Sequence, residues 1–386
     1  MKGWGIPPHL SPLPCGERDG ERGSARIGIL QNMNLWHYSV ALDVGSYSLK
    51  LVQAGYRKGR FYLKRFATAP VPQGLITASL TKPNIGEEGT FKGILRDLFK
   101  KSGIKARELA LLLPDLSLKV RFLEFQELSG SREEVKELAR WRLKDSLAFS
   151  PEEVVLDYQE ISSGGENGQG LNRILCLLGK REIIAQYDRL LEALGLQPRV
   201  VDSSSLGLYN FWEENLPASP DGVALLNLGH QGSTLLVAVG GIPTFIRSFE
   251  LGGAALDEAL ATSLTIPLAE ASRYKKEDSF LPPFEGEKTE RPSVARPFLE
   301  KLAREVADSL FFYAEQEGAS GVKRMVLAGG TSNLRHLEAF LGRELGLPVE
   351  RLDPLMMVSF SSSLKLGREA LLPLLPALGV AAREDT

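Results

Sequence analysis

The sequence predicts an α/β protein of two lobes, and three stretches predict it. VALDVGSYSLKLVQAG (Val40–Gly55) reads as an apolar strand, a tight turn rich in Gly and small hydroxyl residues, and a second apolar strand. VALLNLGHQGSTLLVAVGG (Val223–Gly241) repeats that theme, which suggests an internal duplication at the scale of a domain. VKRMVLAGGTSNLRHLEAF (Val322–Phe340) runs an apolar strand into a glycine pair, with a helix expected immediately after it.

Composition limits what these motifs can mean. A chain of 386 residues has room for two or three domains. Its 46 basic and 48 acidic residues leave no excess charge to attract nucleic acid or a phospholipid surface. The longest apolar runs, such as Ala110–Pro114 and Leu371–Leu375, fall far short of the ~20 residues of a membrane helix, so no direct membrane insertion is expected. Two cysteines, Cys15 and Cys176, and four histidines without ligand spacing give neither a disulfide framework nor a zinc site, which fits a reducing cytoplasm.

Residues 1–34 are crowded with Gly, Pro and charge, lack apolar periodicity, and read as a disordered extension without the h-region of a signal peptide. Met33, just before the ordered pattern, is a candidate initiator. Ser39–Ala54 and Phe61–Pro70 alternate apolar positions around the charged turn Tyr56–Arg60. A helix over Phe91–Ser102 and strands over Glu108–Leu113 and Lys119–Glu124 follow. Ser131 with Glu134 three residues on is a capping box for a helix to Leu147, with Val135, Leu138, Trp141 and Leu143 on one side and Trp141 expected in the core. Strands Val154–Ile161 and Arg173–Gly179 flank SSGGENGQG, a flexible hairpin tip. After helix Arg181–Leu194, strand Gln197–Asp202 and a helix through Asn215, Pro217–Pro220 marks a lobe boundary. In the second lobe, His230 reads as a solvated turn residue and Lys275–Pro297 as a surface connection before helix Phe298–Glu317.

The turns carry the chemistry. Backbone N–H groups and hydroxyls at Gly45, Ser46 and Ser48 can approach phosphate oxygens without an intervening Cβ. Lys50 adds a point charge, and Asp43 can hold the water shell of a magnesium ion. Two such hairpins facing each other would clamp a polyphosphate. Gly329 and Gly330 before a helix N-terminus would suit a nucleotide.

The order hairpin, hairpin, strand-GGxS-helix resembles the actin, Hsp70 and FtsA superfamily, and within it the chain is most similar to the PilM family of cytoplasmic type IV pilus assembly proteins. The resemblance covers nearly all of Trp36–Ala382. It rests on DVGSYSLKLV, on Leu123–Ile161, on VVDSSSLGL (Val200–Leu208), on FELGGAALDEAL from Phe249, on AEASRYKK (Ala269–Lys276), and on the LDP at Leu352–Pro354. It implies an actin-like two-lobed, ribonuclease H-like α/β fold with an inserted 1C (SHS2-type) subdomain. The boundaries are then lobe 1 at 35–107 and 195–219, subdomain 1C at 108–194, and lobe 2 at 220–386 with a final return to lobe 1.

Carried over position by position, the resemblance implies ATP and Mg2+ as cofactors. Gly45, Ser46 and Lys50 would contact the β and γ phosphates. Asp43 and Asp202 would face the metal, with Asp202 also toward the attacking water. Gly229 and Thr234 would line the second phosphate loop. Gly252, Gly253, Glu270 and Lys275 would lie near ribose and base, and Gly329, Gly330 and Ser332 over the nucleoside. The partner implied is the short cytoplasmic tail of a PilN-like inner-membrane protein, holding this chain at the membrane periphery; self-association stays open. One position departs from the family. Where the second phosphate loop usually begins with Asp, this chain has Asn227, losing a charge that organises magnesium and water. ATP is therefore expected to act as a conformational clamp with weak or no hydrolysis. The alternatives are a slow ATPase, a small-molecule kinase, or an FtsA-like division protein. The last usually ends in an amphipathic membrane helix, whereas Pro373 and Pro376 interrupt this terminus.

Overall fold

The computed structural model describes residues 13–14, 39–57, 60–162, 171–214, 221–277, 294–316 and 319–381. Contacts divide the chain into two compact units. The first comprises the residues up to Leu216 with Pro354–Gly367 and those from Leu374 on; the second comprises Pro217–Asp353 and Arg368–Pro373. The expected boundary Pro217–Pro220 and the Gly-rich hairpin tip lie outside the described residues.

In the first unit, β1 (Leu13–Pro14) is a two-residue strand within the extension that was expected to be disordered. A meander follows: β2 (Ser39–Val44), β3 (Ser48–Arg57) and β4 (Arg60–Pro70), all antiparallel. Helix α1 (Glu88–Ser102) buries Phe91, Leu95 and Leu98 at helical spacing. It stops at Gly103, whose left-handed φ of 62° turns its N–H back to the Phe99 carbonyl. Then β5 (Glu108–Leu113) pairs in parallel with β2.

A smaller sheet interrupts the large one. It is built of β6 (Lys119–Phe125), α2 (Arg132–Leu143), β7 (Val154–Ser162) and β8 (Asn172–Lys180), with strand order β6-β8-β7. It has a core of its own around Phe125, Ala139, Ile174 and Cys176. The capping box is present: the Ser131 N–H donates to Glu134 Oε2 at 2.6 Å and the Ser131 hydroxyl accepts from the Glu134 N–H. The backbone hydrogen bond from Ser131 holds the Glu134 carboxyl below its ordinary range.

Three expectations need correction here. Helix α2 buries Val135, Ala139 and Leu143 at i, i+4 and i+8, so Leu138 and Trp141 point outward, and Trp141 is 63% exposed. Lys144 lies over its ring instead of core side chains. The helix also ends at Leu143, with a 3-10 turn over Lys144–Ser146. The boundary at 108 likewise cuts through the large sheet: β5 pairs there with both β2 and β9, and the separate sheet begins at Lys119.

The chain returns through α3 (Arg181–Glu192) to β9 (Gln197–Ser203), parallel to β5, and α4 (Ser204–Glu213). Tyr187 on α3 is fully buried, and its hydroxyl donates to Asn84 Oδ1. Burial pushes that phenol well above its ordinary range.

The second unit repeats the plan. A meander of β10 (Gly222–Leu228), β11 (Ser233–Val239) and β12 (Ile242–Phe249) is followed by α5 (Gly253–Leu264), α6 (Leu268–Glu277) and α7 (Arg296–Ala314). Next come β13 (Val322–Ala328), parallel to β10, α8 (Leu337–Leu345) and β14 (Val349–Arg351). The sheet order is β12-β11-β10-β13-β14. Strand β15 (Val358–Phe360) rejoins the first sheet beside β4, α9 (Arg368–Leu371) follows, and α10 (Leu375–Ala381) ends the described chain. The first sheet reads β1-β9-β5-β2-β3-β4-β15, so its central run from β4 to β9 has the same order and directions as the whole second sheet. The duplication read from two turns is thus a duplication of five-stranded sheets.

All seven residues of α10 are buried, and the helix packs on α4, β2 and β3. Of the apolar, Pro-interrupted stretch, the part from Leu375 to Ala381 is core of the first unit. Among the described residues no helix is long and apolar enough to cross a membrane.

Candidate functional site

The first unit's hairpin places Asp43 and Lys50 directly opposite each other across β2 and β3. Side chains at paired positions share a face, and these two meet: Lys50 Nζ lies 2.9 Å from Asp43 Oδ2. The carboxylate is 2% exposed and its other oxygen accepts a 2.9 Å hydrogen bond from the Ser204 hydroxyl at the start of α4. Both oxygens of a buried charge are therefore satisfied, as its desolvation requires. The turn between the strands holds Gly45 and half-buried Ser46, and β3 opens with half-buried Ser48. A Cβ on Gly45 would sit 2.7 Å from the Lys50 ammonium, so glycine is what lets the lysine fold over the turn.

Asp202 stands at the same level of the sheet. Asp43 and Asp202 are both in register with Leu112 of the intervening β5, which puts their backbones about 9.5 Å apart, two strand spacings. Asp202 is 3% exposed and accepts from the Ser203 N–H at 2.7 Å. Ser203 caps α4 by accepting from the Leu206 N–H, and Ser205 is held by Asp115 through its N–H and hydroxyl. Three consecutive serines thus have three separate tasks. Asp115 lies between β5 and β6, at the root of the smaller sheet, so the Asp43 carboxylate and that root share one helix N-terminus.

The second unit's hairpin has the equivalent cross-strand pair at Asn227 and Thr234. Both are buried, and the Thr234 hydroxyl shares a 2.9 Å hydrogen bond with Ser248 on β12. The turn closes with Gly229 N–H donating to the Gly232 carbonyl. The Gly229 and His230 carbonyls then accept from the Gly253 and Ala254 N–H groups, the first of α5, so the turn itself caps that helix. His230 is only a quarter exposed, with Nδ1 3.9 Å from Asp257 Oδ2, and is not the solvated turn residue expected.

Lys275 lies on α6, a helix as the resemblance implied, and residues 278–293 of the expected surface connection lie outside the described residues. The Lys275 ammonium donates to the Gly253 carbonyl at 2.8 Å and sits 2.7 Å from Asp257 Oδ1, both partners on α5. Glu270, one and a half turns earlier on α6, is half-buried. Gly252 has no room for a side chain, since a Cβ there would lie 2.4 Å from the His230 carbonyl oxygen; at Gly253 it would lie 2.5 Å from the Thr331 hydroxyl.

The third motif differs from expectation. The helix does not follow the glycines at once: a 3-10 turn over Gly330–Asn333 intervenes and α8 begins at Leu337. The reason is local. Ser332 turns its hydroxyl and its N–H back to the Gly329 carbonyl, and the Thr331 hydroxyl reaches across to the Gly229 carbonyl. Gly329 has a left-handed φ of 84°, and a Cβ there would meet the Leu228 carbonyl at 2.5 Å and the Asn227 amide oxygen at 2.6 Å. Gly330 meets nothing within 4 Å. The second unit therefore gathers Asn227, Gly229, Gly252, Gly253, Lys275 and Gly329 into one tight knot, with Gly330 as its open edge.

Sequence reasoning missed Ser204 and Asp257. The serine run was legible as a possible helix start, but which serine would reach Asp43 depended on the β2-β5-β9 order. Asp257 carried no local signal, because its partners lie 18 and 27 residues away along the chain.

The model of the type IV pilus assembly protein PilM family matches residues 41–385. The chain belongs to the PilM family. Among solved structures, a chain of the PilM–PilN type IV pilus biogenesis complex superposes with a TM-score of 0.78 at 24% identity, covering 89% of this chain and 97% of that one. The ethanolamine utilization protein EutJ from Carboxydothermus hydrogenoformans gives a TM-score of 0.51 at 16% identity over 91% of this chain and 92% of that one. The fold is the actin-like two-lobed one, in agreement with the matched five-stranded sheets. For a PilM-family chain, the smaller β6-β8-β7 sheet is the part that the actin-like plan of paired sheets does not account for.

Proposed function

We propose that the chain is a cytoplasmic scaffold of type IV pilus assembly that holds ATP with Mg2+ and grips the cytoplasmic tail of a PilN-like inner-membrane protein, with little or no hydrolysis. The nucleotide half of this reading is carried by the Asp43–Lys50 pair. It offers an ammonium group, held over a glycine turn, that can exchange a carboxylate partner for a phosphate while Ser204 keeps its bond to the carboxylate. Gly330 supports a nucleoside contact in the second unit, as it has space where a Cβ would stand.

Among the described residues no group of three or more His, Cys, Asp or Glu could hold a metal ion. That suits Mg2+, which keeps much of its water and is held by phosphates with one or two carboxylates. Asp43 and Asp202, level with each other on the sheet, are the residues that would support it. Bound magnesium would neutralise phosphate charge. Asn227 argues against efficient turnover, since an amide neither carries the charge nor accepts the proton that a carboxylate would. The partner half is supported by membership of the PilM family and by likeness to the PilM chain of the PilM–PilN complex. Such a partner would hold the protein at the membrane periphery.

Thermal denaturation and phosphate release test the two nucleotide statements together. ATP with Mg2+ is expected to raise Tm by several degrees while release stays near background. Absence of a Tm rise would overturn ATP binding, and robust Mg2+-dependent release that Asp43→Ala abolishes would overturn low turnover. Co-purification with a synthetic PilN-tail peptide, with and without ATP and Mg2+, tests the partner.

A further inference from the structure

The meander of the first unit ends in an anomaly that nucleotide and tail binding leave unexplained. Arg57 and Arg60 are paired directly opposite each other where β3 gives way to β4. Like charges opposed across two strands destabilise a sheet. Both side chains are exposed, and neither makes an ion pair among the described residues. No acid follows Asp43 in the sequence until Glu87, so neither strand supplies a counter-charge. A local rule broken without compensation marks a position kept for function.

Strand directions gather more cations at the same end. Antiparallel pairing puts the β3–β4 turn at the opposite end of the sheet from the β2–β3 turn that carries Gly45 and Ser46. Helix α1 finishes at that far end, where β5 starts parallel to β2, and Arg65 Nη1 of β4 donates to the Gly103 carbonyl there at 2.8 Å. Lys100, Lys101, Lys105 and Arg107 are exposed at this end and make no ion pair among the described residues. Lys100 and Lys101 also suit the carbonyl end of α1. Lys105 and Arg107 lie beyond the helix and have no such role. The acids of this end are Glu108, which Arg199 engages, Asp97 one turn inside α1, and Glu192, Glu213 and Glu214 where α3 and α4 finish. The near balance of 46 basic and 48 acidic residues in the whole chain thus conceals a local excess of positive charge.

The chemistry of the patch selects its partner. Single-stranded nucleic acid is held by open aromatic rings on which bases stack. Here the Arg57 guanidinium lies over the Tyr62 ring, 5.9 Å from its centroid, and the Tyr56 ring meets Phe61 edge-on with centroids 5.4 Å apart. The patch is a spread of long cationic side chains, which matches the diffuse negative potential of an anionic bilayer. We propose that this end of the first unit is an electrostatic docking surface for anionic phospholipid headgroups, touching the bilayer without entering it. A PilN-like partner would bring the chain to that surface, and the lipid contact adds to that reading and stands without it.

Co-sedimentation of the full chain with vesicles tests it, with no nucleotide or tail peptide present, so that its outcome is separate from that of the reading above. At low salt the chain is expected to bind vesicles of phosphatidylglycerol mixed into phosphatidylcholine and to leave pure phosphatidylcholine vesicles alone. Salt at about 1 M releases it, because the Debye length then falls to about 3 Å. Arg57→Gln/Arg60→Gln weakens partitioning by about tenfold or more, at about fivefold for each cation removed, and Lys101→Gln/Lys105→Gln does the same. Lys301→Gln/Lys323→Gln removes equal charge from exposed positions of the second unit and binds as the parent does. All six side chains are exposed, so circular dichroism stays that of the parent, and the Arg57→Gln/Arg60→Gln chain keeps or exceeds the parent Tm once the opposed charges are gone. No binding to anionic vesicles at low salt overturns the proposal, as does equal binding to neutral ones. So does a loss in the Lys301→Gln/Lys323→Gln chain equal to that in the Arg57→Gln/Arg60→Gln chain. Preference for a single-stranded oligonucleotide over anionic vesicles in competition assigns the patch to nucleic acid and likewise overturns it.

Discussion

The two hairpin turns are built on the same strands in the same order, yet they hold opposite chemistry at the same place. The penultimate residue of β2 faces Lys50 as a carboxylate, while the penultimate residue of β10 faces Thr234 as an amide. In the first unit the pair is ionic and linked to a helix by one hydroxyl. In the second the pair is neutral, and the turn beyond it spends its carbonyls on the first N–H groups of α5. A repeated fold thus keeps one turn as a charge-bearing site and uses the other as a structural joint. Glycine marks both turns in the sequence for different reasons: at Gly45 it admits an ammonium group, and at Gly229 it admits the turn's own Gly232 carbonyl.

Substitutions can break or sharpen this contrast. The largest effect is expected from Asp43→Ala, which strands the mostly buried Lys50 cation and removes the acceptor of Ser204. Loss of about 3 kcal/mol in urea denaturation is expected, and a loss under 1 kcal/mol would mean that the pair is no anchor. Next comes Gly329→Ala, which combines a left-handed φ with contact against backbone and is expected to cost about 2 kcal/mol or more. Gly330→Ala one residue on should stay within about 0.5 kcal/mol. Equal costs at the two glycines would erase the distinction between joint and open edge.

Asn227→Asp makes the second turn resemble the first. It is expected to raise Mg2+-dependent phosphate release by about tenfold or more, equivalent to about 1.4 kcal/mol of barrier. Unchanged release would show that the missing carboxylate is not what limits turnover. The smallest effect is expected from Ser204→Ala, about 1 kcal/mol for one hydrogen bond to a carboxylate that retains its lysine. Ser205→Ala, which loosens the Asp115 link in place of the Asp43 link, should leave nucleotide-dependent stabilisation unchanged where Ser204→Ala lowers it.

Sequence patterns settled more of the fold than of the site. Apolar alternation, the Ser131–Glu134 capping box and the glycine turns are local, and the strands, α2's start and the twofold repetition followed from them. The outward aspect of Trp141 did not. Val135, Ala139 and Leu143 make one apolar stripe of α2, and Leu138 with Trp141 makes another beside it; only packing on β7 and β8 decided which faced inward. The delay of α8 to Leu337 was equally hidden, since it follows from hydroxyls at Thr331 and Ser332 finding carbonyls across the turn.

What the sequence determined by itself is the inventory: Asp43 with Lys50 on one glycine hairpin, Asn227 on the other, and apolar runs that fall short of a membrane span. Those properties belong to single residues or short runs and need no fold to be read. The tertiary structure decided the partners. Strand order placed Asp202 level with Asp43 and brought Ser204 to its carboxylate, and the packing of α6 on α5 gave Lys275 to Asp257. These contacts join segments far apart in the chain, and a buried charge takes whatever counter-charge the fold delivers to it.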